Sequence, residues 1–294
     1  MSDSPAKTPG DAPACTDAWW QDRAGRVWAE LSDATDRQLD PLGRLAIARL
    51  APRPGERVLD VGCGAGQTAL ELAAAVGPSG TVLGVDISEA LLARAQERIT
   101  NTAGASNVQL LRADAGRHPF APPPWGGLFS RFGVMFFDEP RAAFENLRAA
   151  LAPKSGRLSF VCWQAMERNP WAVEPLRAVQ RALPQLPAPP PLAGAPGPFA
   201  FADPDHVSAV LASAGFRAVD IESRTLAMHV GGASTVDEAT SYLMRIGPAS
   251  RLIADADESL RPVARAAIER AIAGFAGENG VWCDAAVLLV TAHA

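Results

Sequence analysis

Three glycines at alternate positions, in Val58-Leu59-Asp60-Val61-Gly62-Cys63-Gly64-Ala65-Gly66, close an apolar run and open a helix-patterned one. Few local features restrict a chain more. The backbone must turn sharply there, and it must stay bare where a Cβ would obstruct a neighbour or a ligand. Ahead of the glycines, Arg57–Val61 reads as a buried strand. Behind them, Ala69, Leu72, Ala73 and Val76 recur at helical spacing until Gly77-Pro78 stops them.

The same alternation of short apolar run and longer helical pattern then repeats. Thr81–Val85 is a second strand, and Ser88 caps a helix carrying Leu91, Leu92, Ala95 and Ile99 that closes near Gly104. Val108–Leu111 is a third strand. Leu128–Phe132 and Leu158–Trp163 bracket a helix marked by Phe144, Leu147 and Leu151, with Pro140 in its first turn. A helix over Asp203–Gly215, a long strand over Phe216–Val230 and a last one over Ala286–Thr291 complete the series. This order predicts an α/β fold: a doubly wound, mostly parallel, seven-stranded Rossmann-like sheet whose last strand is antiparallel.

Residues 53–230 and 281–294 form this core, and three segments stand apart from it. Residues 1–15 lack apolar periodicity and read as a disordered leader. Residues 16–52 place Trp19, Trp20, Val27, Trp28 and Leu31, then Leu39, Leu42, Leu45, Ala46 and Leu50, at the spacing of two amphipathic helices. Residues 231–280, with Leu260, Val263, Ala267 and Ile268, read as a helical insertion between strands six and seven, where a hairpin turn would have sufficed. The leading helices, this insertion and the Pro- and Gly-dense stretch Leu183–Ala200 are expected to form a cap over the strand ends.

Charge narrows the partners. A formal net charge of −5 removes the long-range attraction to phosphate backbones, so no nucleic acid is expected. No apolar run of about 18 residues exists to span a bilayer, and the start carries no legible export signal, so the expectation is a cytoplasmic protein with no membrane partner. Cys15, Cys63, Cys162 and Cys283 lie too far apart for a zinc site, and no metal is expected.

The second strand leads directly into Asp86, twenty positions after Gly66. A carboxylate there can accept hydrogen bonds from both hydroxyls of a ribose. Dinucleotide binders share this geography, but their G-x-G-x-x-G fingerprint needs a third glycine where this chain has Gln67. A Walker-type phosphate loop is excluded by the missing Gly-Lys-Ser/Thr ending. The residues from Val58 to Trp163 resemble a class I S-adenosylmethionine-dependent methyltransferase, in a form similar to the small-molecule, quinone-biosynthesis branch. The resemblance implies S-adenosylmethionine as cofactor. It implies that Gly62, Cys63, Gly64 and Gly66 pack against the methionine part, that Asp60 lies near its amino group, and that Asp86 holds the ribose. It further implies Ile87 on one adenine face, Asp114 and Ala115 at the adenine edge, and Ser130 and Arg131 at the methionine end. One departure is Trp125-Gly126-Gly127-Leu128, where many relatives begin the fourth strand with Phe-Asp.

Methyl transfer from a sulfonium needs placement more than proton chemistry, so a general base is optional. Of the four histidines, His229 is the candidate base, late in the sixth strand beside the insertion. Trp28, Phe132, Met135, Trp163 and Trp171 are candidates for the substrate pocket, since the carboxyl ends of strands border the crevice of an open α/β sheet. The expected function is methyl transfer to an oxygen, nitrogen or carbon atom of a small apolar or aromatic metabolite. Two other readings stay open at this point: a non-catalytic S-adenosylmethionine-binding interaction protein, and a nicotinamide-dependent oxidoreductase. A homodimer is also left open.

Overall fold

The computed structural model describes residues 17–21, 23–120, 124–186, 195–254 and 256–294. The leader over 1–15 with Cys15, and 187–194 of the Pro-rich stretch, lie outside the described residues. The described residues open with the helical segments α1 (Asp17–Gln21), α2 (Arg23–Glu30) and α3 (Ser32–Leu50). The alternating core follows as β1 (Arg57–Val61), α4 (Gln67–Val76), β2 (Thr81–Asp86), α5 (Glu89–Thr100), β3 (Val108–Arg112), β4 (Gly127–Arg131), α6 (Pro140–Ala150) and β5 (Arg157–Trp163). Then come α7 (Pro170–Ala182), α8 (Pro204–Ser213), β6 (Arg217–His229), α9 (Val236–Leu243), α10 (Pro248–Leu252), α11 (Arg261–Ile272), β7 (Ala276–Gly277) and β8 (Gly280–His293).

The sheet runs β3-β2-β1-β4-β5-β8-β6. β1 to β5 pair in parallel, and β8 lies antiparallel between β5 and β6. Because the chain winds outward to β3 on one side and to β5 on the other, β1 and β4 flank the point where the winding reverses. Open sheets hold ligands there. Asp60 sits in register with Gly84 of β2 and Phe129 of β4, so the carboxyl ends of these three strands face one crevice.

Successive side chains of a strand point to opposite faces, and β5 shows what covers each. Ser159 Oγ donates to the carbonyl of Ala46 on α3 at 2.8 Å. The next residue, Phe160, is fully buried on the other face, with its ring 5.9 Å from Phe144 of α6 and 6.2 Å from Phe201. Phe144 also meets Phe201 and Phe216.

Three expectations are corrected. The sheet has an eighth strand, because β7 folds back on β8 as a two-residue hairpin. β8 starts at Gly280 rather than near Ala286, since its first residues go on pairing with β6 as far as His229 and Trp282. α5 ends at Thr100 rather than near Gly104: the Thr100 and Thr102 hydroxyls bond back to the carbonyls of Gln96 and Arg98, and Gly104 serves the following turn with φ +83°.

In the 231–280 segment, α10 and α11 pack against α7 and α9 packs against α11. On the outermost strand, the register of β6 shifts between Arg217 and Asp220, where Ala218 takes φ +49°. Among the described residues no helix is long and apolar enough to cross a membrane, and no group of three or more His, Cys, Asp or Glu could hold a metal ion. Truncating Phe144 to Ala should lower the unfolding free energy by about 3–5 kcal/mol. Urea denaturation measures this, and a loss below about 1 kcal/mol would show that the phenylalanine cluster is not core.

Candidate functional site

Gly62, Gly64 and Gly66 all take positive φ, at +70°, +53° and +84°, but their surroundings differ. A Cβ on Gly62 would stand 2.8 Å from Cα of Gly133, and one on Gly66 would stand 2.9 Å from Cβ of Ala95 on α5. One on Gly64 would meet nothing within 4 Å. Gly62 therefore locks the loop to the segment after β4, Gly66 seats α5, and Gly64 leaves bare backbone facing open space. Cys63 is buried between them, its sulfur close over Gly84.

Asp60 lies fully buried beneath the loop. Its Oδ2 accepts from Thr68 Oγ1 at 2.6 Å, and its Oδ1 has no partner. Burial pushes this carboxyl up to about 7, while the Thr68 hydrogen bond and the charge of Arg131 pull it down. Leaving a buried acceptor unsatisfied costs about 1–3 kcal/mol, so a ligand ammonium suits it well. Asp86 accepts from the Gly64 amide at 2.9 Å and the Ser88 amide at 2.8 Å, one to each oxygen. Each oxygen keeps a second lone pair. Burial raises the Asp86 carboxyl and these amides lower it.

Further out, Ile87 is half-buried beside Asp86. Asp114 accepts from the Gly116 amide at 2.8 Å and pairs with Arg117 at 3.5 Å. Ala115 is buried, its carbonyl held by Asn146 at 3.1 Å. Ser130 is a staple between strands: its hydroxyl donates to the Val61 carbonyl at 2.7 Å and accepts from the Gly133 amide at 3.2 Å. The Arg131 guanidinium is held by Asp36 at 2.7 Å and Gln67 at 2.5 Å. Thr68, Gly133 and Asp36 are absent from the sequence expectations. Their partners lie in distant segments, or serve a loop whose neighbours the pattern does not name.

Phe132 follows β4 with φ +60°, a strained position for a residue with a Cβ. Its amide is fixed by the Val161 carbonyl at 3.0 Å, and its ring stacks on Trp163 at 4.3 Å. Trp163 in turn meets Trp171 at 5.0 Å, whose indole nitrogen is buried without a partner. Met135 is buried and its carbonyl accepts from Gly197 at 3.1 Å. Trp28 packs edge-on to Trp20, which packs edge-on to Phe136. His229 lies apart from this wall, stacked on Trp282 at 4.5 Å with Nε2 bonded to the Ala233 carbonyl at 2.7 Å.

The glycines give a direct prediction. Gly64→Ala should lower stability by only about 1–2 kcal/mol, the cost of its left-handed backbone. Gly62→Val should lower it by more, because backbone atoms stand in its way. Thermal melts of both variants would check the order, and equal losses would contradict it.

The methyltransferase domain family matches residues 58–154. An O-methyltransferase of Aspergillus sclerotiorum, resE, is 30% identical over 157 residues, 53% of this chain and 56% of the relative. The ubiquinone/menaquinone biosynthesis C-methyltransferase UbiE of Ectopseudomonas mendocina is 33% identical over 115 residues, 39% and 44% of the two chains. The chain thus spans about half the length of these relatives. Among solved structures, a phosphoethanolamine N-methyltransferase of Haemonchus contortus in complex with S-adenosyl-L-methionine has a TM-score of 0.58 at 16% identity. It covers 95% of this chain and 60% of its own. That likeness is one of fold. Residues 58–154, which carry the glycine loop, Asp60, Asp86 and Ser130, thus match a methyltransferase domain.

Proposed function

We propose that this protein transfers a methyl group from S-adenosylmethionine to a small apolar or aromatic metabolite. The observation that carries the reading is the unpaired Oδ1 of Asp60, beneath the open backbone of Gly64, in the crevice where Asp86 ends the neighbouring strand. S-adenosylmethionine supplies a methyl group already activated on a positive sulfur. Asp60 would receive its ammonium and Asp86 its ribose hydroxyls, with Ile87 against the adenine and Asp114 at its amino group. Gly62, Cys63, Gly66, Ala115 and Ser130 hold the backbone that these contacts need.

The chain's part in the chemistry is placement and exclusion of water. Bringing an acceptor atom into line with the methyl supplies much of the rate of such a displacement. The Phe132–Trp163–Trp171 wall offers an apolar surface for a flat acceptor, and Met135 ties that wall to the segment at Gly197.

Contacts of the leading helices support a cap. A Cβ on Gly25 would come within 2.3 Å of Ser88 Oγ, so α2 lies directly over the residue after the Asp86 corner. Glu30 pairs with Arg245, and the Arg251 guanidinium lies 5.6 Å over the ring of Trp19. The leading helices thus bridge from α5 to the 231–280 segment, and a covered crevice favours a small acceptor over a folded one.

S-adenosylhomocysteine should bind by calorimetry and NAD should not. Asp86→Ala should weaken that binding by about 1.5–3 kcal/mol, and wild-type affinity in this variant would remove the ribose assignment. A second outcome concerns protons. With the Asp60 carboxyl near 7 in the free protein, an incoming ammonium lowers it, so binding near neutral pH should release protons. The release should fade at higher pH, where the carboxyl is already ionised, and vanish in Asp60→Asn. In the free protein the same raised value stabilises the fold fully below about pH 4. That contribution is lost as pH rises through about 7. Calorimetry in buffers of different ionisation enthalpy reads the release directly.

A further inference from the structure

The charged side chains behind the glycine loop converge on a residue of α3, outside the matched domain. Asp36 accepts from Arg98 Nη1 at 2.5 Å through one oxygen and from Arg131 Nη2 at 2.7 Å through the other. The three side chains are only 14%, 16% and 11% exposed. Each guanidinium also grips one end of the turn into α4. Arg98 Nη1 donates to the Ala65 carbonyl at 3.0 Å, and Arg131 Nη1 donates to Oε1 of Gln67, the first residue of that helix, at 2.5 Å. Arg98 is braced further by Asp33 at 2.5 Å and Ser32 at 3.2 Å.

Asp36 therefore bridges two guanidiniums that would otherwise repel at close range in a poorly hydrated place, and Asp33 adds a second negative charge at Arg98. Asp36 also sets where both of them point. Between the two anchored residues lies Gly66, and just before them Gly64, whose peptide would line the ligand space. Fork-shaped arginines transmit this constraint in a way that single ammonium groups cannot.

We propose that Asp36 is a positioning residue for cofactor binding, holding the 62–67 loop in shape through Arg98 and Arg131. The cofactor site then takes an essential part from a leading helix that the methyltransferase domain match does not include. The inference rests on the methyltransferase reading above.

The test measures S-adenosylhomocysteine affinity and, separately, backbone hydrogen exchange of the 62–70 segment in the ligand-free protein. Asp36→Asn should weaken binding about tenfold and speed exchange in that segment. Asp36→Glu, which keeps the charge, should restore most of both. Glu222→Gln removes a contact of Arg49 at the opposite end of α3, far from the loop, and serves as the control: it should leave affinity and loop exchange unchanged. If Asp36→Asn fails to fold, Arg98→Lys replaces it, since one ammonium cannot serve Asp33, Asp36 and the Ala65 carbonyl together, and it should show the same paired losses in milder form. Unchanged affinity and exchange in folded Asp36→Asn or Arg98→Lys, or equal losses in Glu222→Gln, would overturn the positioning role. A wild-type protein that binds no S-adenosylhomocysteine would instead overturn the methyltransferase reading itself.

Discussion

A buried carboxylate with one oxygen satisfied and the other left over is the constraint around which the crevice is arranged. Asp60 stands at a position where water does not reach, so its free oxygen must be answered by a ligand or remain a cost. Everything near it makes room for the first outcome. The loop above has no side chain at Gly64, the Thr68 hydroxyl takes only Oδ2, and Asp86 on the neighbouring strand keeps acceptor capacity on both of its own oxygens. The parallel register of β1, β2 and β4 sets these groups side by side, and the reversal of winding between β1 and β4 keeps a helix from filling the gap.

The two faces of the sheet answer different needs. On the face of α6 and α8, the packing is built on the interlocked rings of Phe144, Phe160, Phe201 and Phe216. On the face of α3, polar links are woven into the packing: Ser159 to the Ala46 carbonyl, Arg157 to the Leu50 carbonyl, Gln38 to the Gly231 amide, and Asp36 to two arginines. Apolar packing tolerates small shifts, whereas hydrogen bonds at fixed distances do not. The face that fixes the glycine loop is thus also the one whose geometry is most tightly specified.

Much of this was legible in the sequence because it is local. The strand, glycine turn, helix and terminal acid are read from spacing alone, and so are Ser88 as a helix cap and Pro140 in a first turn. What stayed hidden is what depends on distant segments meeting. Nothing near Asp36 announces that Arg98 and Arg131 will close on it, and the Ser130 hydroxyl shows its two partners only once β1 and β4 lie together. The short β7 escaped because a two-residue strand has no period, and the early start of β8 escaped because its pairing with β6 outlasts its apolar run. The surroundings of His229 were hidden in the same way: its ring stacks on Trp282 of β8 and its Nε2 meets the Ala233 carbonyl.

The outer strand carries a different message. β6 is long, and a long open edge invites another strand to pair with it, from a second copy or from an unfolding neighbour. Here the edge is interrupted where Ala218 turns into the left-handed region and the register slips, and beyond it Asp220, Glu222 and Arg224 add charges, with Glu222 engaged by both Arg49 and Arg224. An incoming strand would have to bridge the kink and displace those ion pairs before gaining its first continuous run of hydrogen bonds. This edge of the sheet is therefore poorly suited to accepting a further strand.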